Sequence, residues 1–152
     1  MKYYRREGRR FVQTDVPQPV NNAGKYYQKD GSFSNECTSD SIGLCIVSYA
    51  THHVVMYLHE IAGTYTHDEA VEEAKKFFSG KGEVPQLNDL LTAFIYYKKQ
   101  LNISTLKDYR AIGPISASYA AFANHAGTAG YDPAWNTRFV AALRPVVNIK
   151  QL

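Results

Sequence analysis

The chain has few cysteines and no long apolar stretch, and each shortage excludes a class of protein. Its 152 residues include only Cys37 and Cys45, too few for a disulfide scaffold and without CxxC spacing. The longest apolar runs, such as residues 54–58, are far shorter than the roughly 20 residues of a membrane-spanning helix. The N-terminal charges are followed by no apolar segment typical of a secretory signal. We therefore expect a cytoplasmic protein with reduced thiols and no membrane partner.

Motifs of known catalytic and ligand sites are also scarce. The five histidines lack the HExxH spacing that places two imidazoles on one zinc ion. Residues 79–82, Ser-Gly-Lys-Gly, depart from the phosphate-binding GxxxxGK[ST] loop, because glycine follows the lysine and the segment ends a predicted helix. The sequence thus indicates no metal, cofactor or catalytic residue, although Cys37 or Cys45 with a histidine leaves a small hydrolase or transferase open.

What the chain does contain is typical of a globular protein. Apolar residues make up 45% and charged residues 20%, with twelve tyrosines and seven phenylalanines, a composition far from that of disordered segments. The length fits one ordinary domain. We therefore predict a single domain over residues 1–152.

Turn residues and short β-prone runs favour a small sheet over residues 1–50. The Asp30-Gly31 step separates 25–28 from 32–34 and predicts a hairpin. A further strand is expected over 42–49, whereas Pro17 and Pro19 predict a connecting loop. Residues 1–50 are therefore predicted to be mainly β-hairpins and loops.

Residues 51–152 carry patterns that favour helices. Thr66 and Glu69 form a capping box before an apolar stripe that ends at Gly80. Other predicted helices cover 52–62, with a strand left possible by its β-branched residues, then 87–101, the Ala-rich segment 115–126, and a helix capped by Asp132 that starts at Pro133 and ends before Pro145. The predicted fold class is α+β, a small antiparallel N-terminal sheet of hairpins followed by four or five packed helices.

The most informative feature is the basic cluster at the start of the chain. Residues 1–10 contain five of the 17 basic side chains and one of the 14 acidic ones, a net charge of +4, so the other 142 residues sum to −1. A turn at Glu7-Gly8 would form a hairpin with two arginine pairs across it, Arg6 with Arg9 and Arg5 with Arg10. Such like-charged pairs cost up to about 1 kcal/mol each. They indicate either a solvated tip or an anionic partner.

Arginine forks suit bidentate contacts to phosphate, and aromatic rings can stack on bases. If Tyr4 and Phe11 face the rest of the protein, the opposite face of the hairpin is exposed, and the second hairpin can extend it. The predicted binding residues are Tyr3, Arg5, Arg6, Arg9, Arg10, Lys25 and Tyr27.

Residues 2–12, Lys-Tyr-Tyr-Arg-Arg-Glu-Gly-Arg-Arg-Phe-Val, together with 31–38, Gly-Ser-Phe-Ser-Asn-Glu-Cys-Thr, resemble the start of a group of small tailed-bacteriophage proteins. These tend to begin with Tyr-(Arg/Lys)-Arg-x-Gly-(Lys/Arg)-(Arg/Lys)-(Tyr/Phe)-Val. The resemblance covers roughly the first 40 residues of the 152. The group has no settled activity, so the resemblance implies a phage origin and an intracellular accessory role, and it transfers no catalytic residue.

These observations lead to one functional hypothesis with two alternatives. The first is a non-enzymatic phage accessory protein that binds a host protein or nucleic acid through the basic hairpin. The second is a sponge that sequesters a phosphorylated small molecule, a nucleotide signal of host defence. The third is the Cys/His hydrolase or transferase. Short hairpins leave sheet edges open, so a homo-oligomer is also plausible.

Overall fold

The computed structural model describes residues 3–14, 20–103, 107–112, 119–124, 129–133 and 140–151. Within these ranges the chain forms ten β-strands in three antiparallel sheets, two α-helices and one 3₁₀ turn at Phe78–Gly80. The strands are β1 (Tyr3–Glu7), β2 (Arg10–Thr14), β3 (Tyr26–Gln28), β4 (Phe33–Ser34), β5 (Ser41–Ser48), β6 (His52–Tyr57), β7 (Asp108–Ala111), β8 (Tyr119–Asn124), β9 (Ala129–Pro133) and β10 (Val146–Lys150). The helices are α1 (His67–Ala74) and α2 (Leu87–Tyr96).

The predicted fold class is therefore wrong, because the described part of the chain is mostly β. The described ranges contain two α-helices where four or five were expected for the chain, and strands β6 to β10 all lie after residue 50. Strand β10 had no counterpart in the prediction. It pairs with β6 and forms one edge of a five-stranded sheet of order β10-β6-β5-β3-β4.

Several local predictions in the first half of the chain are confirmed. Strands β3 and β4 form the expected hairpin around the Asp30-Gly31 turn, where Gly31 has a φ of +89°. Strand β5 covers the predicted run at 42–49, one residue earlier. These segments were predictable because turn chemistry and apolar content agree over a few neighbouring residues.

The segment at 52–62 was predicted as a helix with a strand left possible, and its first part is a strand. Residues 53–56 are all buried, since β6 lies in the middle of the five-stranded sheet, between β5 and β10. A strand covered on both faces shows a continuous apolar run instead of alternation. Such a run cannot be told from a buried helix by periodicity.

Helix α1 is confirmed with its capping box. The Glu69 backbone N–H donates to Thr66 Oγ1 over 3.4 Å, and Glu69 Oε1 accepts from the Thr66 N–H over 3.0 Å. The helix ends at Ala74, six residues before the predicted stop at Gly80. Helix α2 is likewise confirmed and ends at Tyr96, short of the predicted 101.

The Ala-rich segment 115–126 was predicted as a helix, but its described part is strand β8. Ala111 and Ala123 are fully buried and lie in the main core cluster, which also contains Leu90 and Phe94 of α2. Small side chains here let a helix pack closely on a sheet. Strand pairing with β7 and β9 thus overrides the helix propensity of alanine.

Asp132 and Pro133 were expected to cap and start the last helix, but both belong to β9. This strand is an edge of the three-stranded sheet β7-β8-β9, where proline is tolerated because one side of the strand needs no donor. The centre of the predicted helix, 134–139, lies outside the described residues. Residues 141–147 are buried, and they contain no helix: Ala141 and Ala142 form isolated bridges and β10 begins at Val146.

The two faces of the five-stranded sheet are covered by core clusters of different size. On its first face, Leu44, Val54 and Met56 pack with α2 and with residues of the three-stranded sheet. On its second face a smaller cluster is built on Cys45, Val55 and Val147. A set of partly buried side chains surrounds that cluster: Tyr27, Phe33, Phe78 and Ile149. The second face therefore has the thinner cover.

Candidate functional site

The basic N-terminal hairpin exists, but its register differs from the prediction. Glu7 pairs with Arg10 and Arg6 with Phe11, so the two-residue loop is Gly8-Arg9 and not Glu7-Gly8. Gly8 has a φ of +62°, which glycine adopts without strain at the first loop position. The predicted arginine pairs do not form. Instead, Glu7 lies opposite Arg10 and Arg6 opposite Phe11 in the backbone pairing of the two strands.

The two strands β1 and β2 form a separate sheet, which we call the arginine hairpin (3–14). Residues 4–11 are all exposed. Side-chain alternation places Tyr4, Arg6 and Phe11 on one face, and Tyr4 and Phe11 are 50% and 71% exposed. The condition considered above, that these two rings face the rest of the protein, is therefore not met. Tyr3 pairs with Thr14 through the backbone.

The arginines of the hairpin differ in how far they are already engaged. Arg5 Nη2 lies 2.7 Å from Glu7 Oε1, and Arg6 Nε donates to the Gly8 carbonyl over 3.0 Å. Arg9 and Arg10 form no ion pair within the described residues. Four arginines against one glutamate leave the hairpin strongly positive, with Arg9 and Arg10 open to an anion.

Lys25 and Tyr27, the other two predicted binding residues, lie in or next to β3. Among the described residues, no hydrogen bond, ion pair or ring contact joins either one to the arginine hairpin. The Lys25 carbonyl accepts from Cys45 N–H, and the Tyr27 ring lies 5.4 Å from that of Phe33. Tyr27 instead contributes to a second candidate site.

That second site is a cleft of about 180 Å³ on the second face of the five-stranded sheet. Sequence reasoning missed it because its residues come from four separate segments. It is lined by Tyr27, Lys29, Ile42, Phe78, Ser79, Lys81, Val147 and Ile149. We call it the lysine cleft.

Glycine is required below this cleft and beside it. Gly43 pairs with Tyr27 on one side and Tyr57 on the other, and a Cβ here would lie 2.4 Å from Val55 Cγ1. A Cβ on Gly82 would lie 2.0 Å from the Ala74 carbonyl oxygen. Real Cβ atoms do not make contacts this short, so Gly43 lets β5 pack closely against Val55 of β6, and Gly82 lets the chain after the turn at Phe78–Gly80 pass close to the end of α1.

The turn itself holds two non-glycine residues in the left-handed region. Phe78 has a φ of +52° and Ser79 of +56°, and such residues cost roughly 1–2 kcal/mol each. The Phe78 ring lies 5.9 Å from the Tyr57 ring in an edge-to-face contact. The packing of Phe78 against the sheet therefore holds a strained turn beside the cleft.

A hydrogen-bonded network connects Cys45 with a histidine, as the hydrolase alternative requires, but its chemistry opposes a thiolate. Ser48 Oγ lies 3.6 Å from Cys45 Sγ and 2.8 Å from His53 Nδ1. Burial raises the pKa of the Cys45 thiol, and burial together with the charge of neighbouring His52 lowers the pKa of His53. Ser48 Oγ also accepts from the Asn22 N–H over 2.9 Å. The hydrogen bonds of Ser48 therefore hold the loop that contains Asn22 against the end of β5. Cys37 is exposed.

The sequence predicted no structural or binding role for Arg144, whose side chain is buried. The Arg144 guanidinium is enclosed, and its Nη1 lies 3.2 Å from Glu60 Oε2. Glu60 also accepts from the Tyr109 hydroxyl and from Lys107 Nζ, each over 3.0 Å. Burial lowers the pKa of Arg144, whereas Glu60 and Tyr109 raise it. No local sequence signal marks this network, whose members lie up to 84 residues apart.

The comparisons add no family to this geometry. No protein-family model matches the chain, and no curated protein is significantly similar to it. Within the described ranges, none of the helices is both long and apolar enough to cross a membrane.

Proposed function

We propose that this protein is a non-enzymatic accessory protein of phage type that binds nucleic acid through the arginine hairpin. The observation that carries the proposal is the exposure of Tyr4, Arg6 and Phe11 on one face of a two-stranded ribbon rich in arginine. The resemblance of residues 2–12 to phage proteins supports the biological setting. An acidic surface of a host protein is the alternative partner.

The energetics of the hairpin favour a surface that a partner covers. A two-stranded hairpin is marginally stable alone in water. Covering a Phe side chain is worth about 1.5–3 kcal/mol relative to leaving it exposed, and Phe11 is 71% exposed. Contact with a partner would therefore stabilise both the complex and the hairpin.

The side chains on the two faces suit different parts of a nucleic acid. Arg9 and Arg10, which have no ion-pair partner among the described residues, can form bidentate contacts with phosphate. Exposed rings at Tyr4 and Phe11 can stack on unpaired bases, and such stacking is worth about 1–3 kcal/mol per base. This combination favours single-stranded DNA or RNA over a duplex, whose base faces are already stacked.

The test compares two double variants of equal charge change. Arg9→Ser/Arg10→Ser removes two hairpin cations, and Lys98→Ser/Lys99→Ser removes two at the end of α2. Each phosphate contact is worth about four- to fivefold in affinity near physiological salt. We therefore expect the arginine variant to bind a labelled single-stranded oligonucleotide about 15- to 30-fold more weakly by fluorescence anisotropy, and the lysine variant to bind nearly as the wild type does.

A salt series separates phosphate contacts from other effects. The slope of log K against log salt should become shallower by about 1.4 in the arginine variant, since each contact contributes roughly 0.7 on single strands. Phe11→Ser should weaken single-strand binding without changing that slope. Equal losses in the arginine and lysine variants, or no binding by the wild type at low salt, would remove the nucleic-acid proposal and direct attention to host proteins.

A further inference from the structure

We propose that the lysine cleft binds a small planar molecule that carries a phosphate group, such as a pyrimidine nucleoside monophosphate. The inference is independent of the arginine hairpin. It rests on the charge, shape and fixed geometry of the cleft on the second face of the five-stranded sheet.

The lining of the cleft has one sign of charge. Lys29 and Lys81 are both exposed lining residues, and no acidic residue is among the described residues that line it. Neither lysine forms an ion pair within the described part of the chain. Two lysines that border one concave site attract an anion, because each repels the other unless a negative charge lies near them.

The acidic residues near the cleft border neighbouring depressions and not the cleft itself. Asp30, which borders a neighbouring depression shared with Lys29, accepts from both the N–H and the hydroxyl of Ser32. Glu83 borders an adjoining groove shared with Lys81 and accepts from Asn148 Nδ2 over 2.9 Å. Asp30, Glu83 and also Asp40, which borders the same depression as Asp30, keep their negative charge, but none of the three lines the lysine cleft itself.

The rest of the lining is apolar or aromatic and suits a ring. Tyr27 and Phe78 supply ring surface, while Val147 and Ile149 supply aliphatic surface. The volume of about 180 Å³ exceeds the roughly 150 Å³ of a protein cavity that holds benzene. The cleft therefore has room for one planar ring, with the Tyr27 and Ser79 hydroxyl groups as hydrogen-bond partners.

The geometry of the cleft is fixed by backbone conformation and close packing of its own residues. Its turn is held in the left-handed conformation at Phe78 and Ser79, and Gly82 lets that turn approach the end of α1. A binding site fixed in advance loses little conformational entropy when the ligand enters. Strained residues of this kind cluster at ligand sites, which agrees with the charge and the shape.

The experiment uses four probes with the full chain: uridine monophosphate, phenyl phosphate, uridine and inorganic phosphate. Binding is followed by ¹H–¹⁵N chemical-shift changes and by calorimetry. We expect uridine monophosphate to bind at least about tenfold more tightly than uridine or phosphate alone, because ring and charge act together. The shifts should concentrate at Tyr27, Ser79 and Ile149. If phenyl phosphate binds as tightly as uridine monophosphate, the site accepts aryl phosphates in general. If phenyl phosphate binds much more weakly, the site is selective for nucleotides.

Variants locate the charge. Lys29→Met/Lys81→Met should weaken uridine monophosphate binding by about 5- to 25-fold, because each exposed ion pair contributes up to about fivefold in affinity. Lys99→Met, which removes an exposed lysine elsewhere, should change it less than twofold. Because the substituted lysines are exposed, an unchanged melting temperature will show that the fold is intact. No binding of any probe at millimolar concentration, or undiminished binding by the double lysine variant, would overturn the proposal.

Discussion

Replacing Arg144 by methionine tests how strongly the buried arginine network holds the protein together. The Arg144 side chain is 1% exposed, and besides Glu60 it donates to three carbonyl groups. These belong to Tyr57, Leu58 and Leu101. Methionine retains much of the volume and removes every donor, so the variant isolates the polar contribution.

The size of the effect follows from what each partner loses. Removing one member of a buried ion pair costs about 3–5 kcal/mol, because the other charge is left without compensation. Glu60 is 32% exposed and keeps Lys107 and Tyr109 as partners, so we expect the lower end, about 3 kcal/mol. At about 2–4 °C per kcal/mol for a chain of this size, the melting temperature should fall by about 6–12 °C.

Lys107→Met is the matched control, because Lys107 pairs with the same carboxylate from a side chain that is 41% exposed. Exposed pairs are worth at most about 1 kcal/mol, so its melting temperature should fall by less than about 4 °C. Differential scanning calorimetry of both variants gives the comparison directly. A decrease in melting temperature of under about 2 °C for Arg144→Met, or equal decreases in the two variants, would refute the claim that the buried Arg144 contacts stabilise the protein more than the exposed Lys107 pair does.

Two further predictions concern titratable side chains. Burial and the charge of His52 hold the pKa of His53 below its ordinary 6.5, so the unfolded state binds the proton more readily. The stability that neutral His53 contributes to the folded state is complete above pH 6.5 and is lost as the pH falls through 6.5 and then through the folded pKa. Between about pH 7.5 and about pH 5, the urea midpoint of unfolding should therefore fall further in the wild type than in His53→Asn. Parallel plots of urea midpoint against pH for the two proteins would contradict this. Burial raises the pKa of the Cys45 thiol, so iodoacetamide near about pH 8 should label exposed Cys37 first and Cys45 only in denaturant. Simultaneous labelling without denaturant would show that Cys45 is accessible.

The arginine hairpin shows how far local sequence reaches. Its charge and the glycine predicted two strands and a basic tip, and both are present. The register was wrong by a shift of the loop to Gly8-Arg9, since the position of one left-handed residue decides which side chains pair. Tyr4 and Phe11 are exposed because no other described segment covers these rings, and residues within the hairpin cannot indicate whether a distant segment will do so.

Elements whose signals lie within a few neighbouring residues could be predicted from the amino-acid sequence. The capping box at Thr66 and Glu69, the Asp30-Gly31 turn and the basic cluster are all of this kind. Capping, left-handed turns and charge depend on chemistry within about four residues.

The strands of the second half of the chain and the lysine cleft depend instead on contacts between distant segments, which local sequence does not indicate. Strand β8 forms because β7 and β9 pair with it, against the helix preference of its alanines. The cleft forms because pairing of β3, β5, β6 and β10 brings Tyr27 and Val147 onto the face that the Phe78 turn covers. Pairing between distant segments depends on which faces find cover, and that is a property of the whole chain.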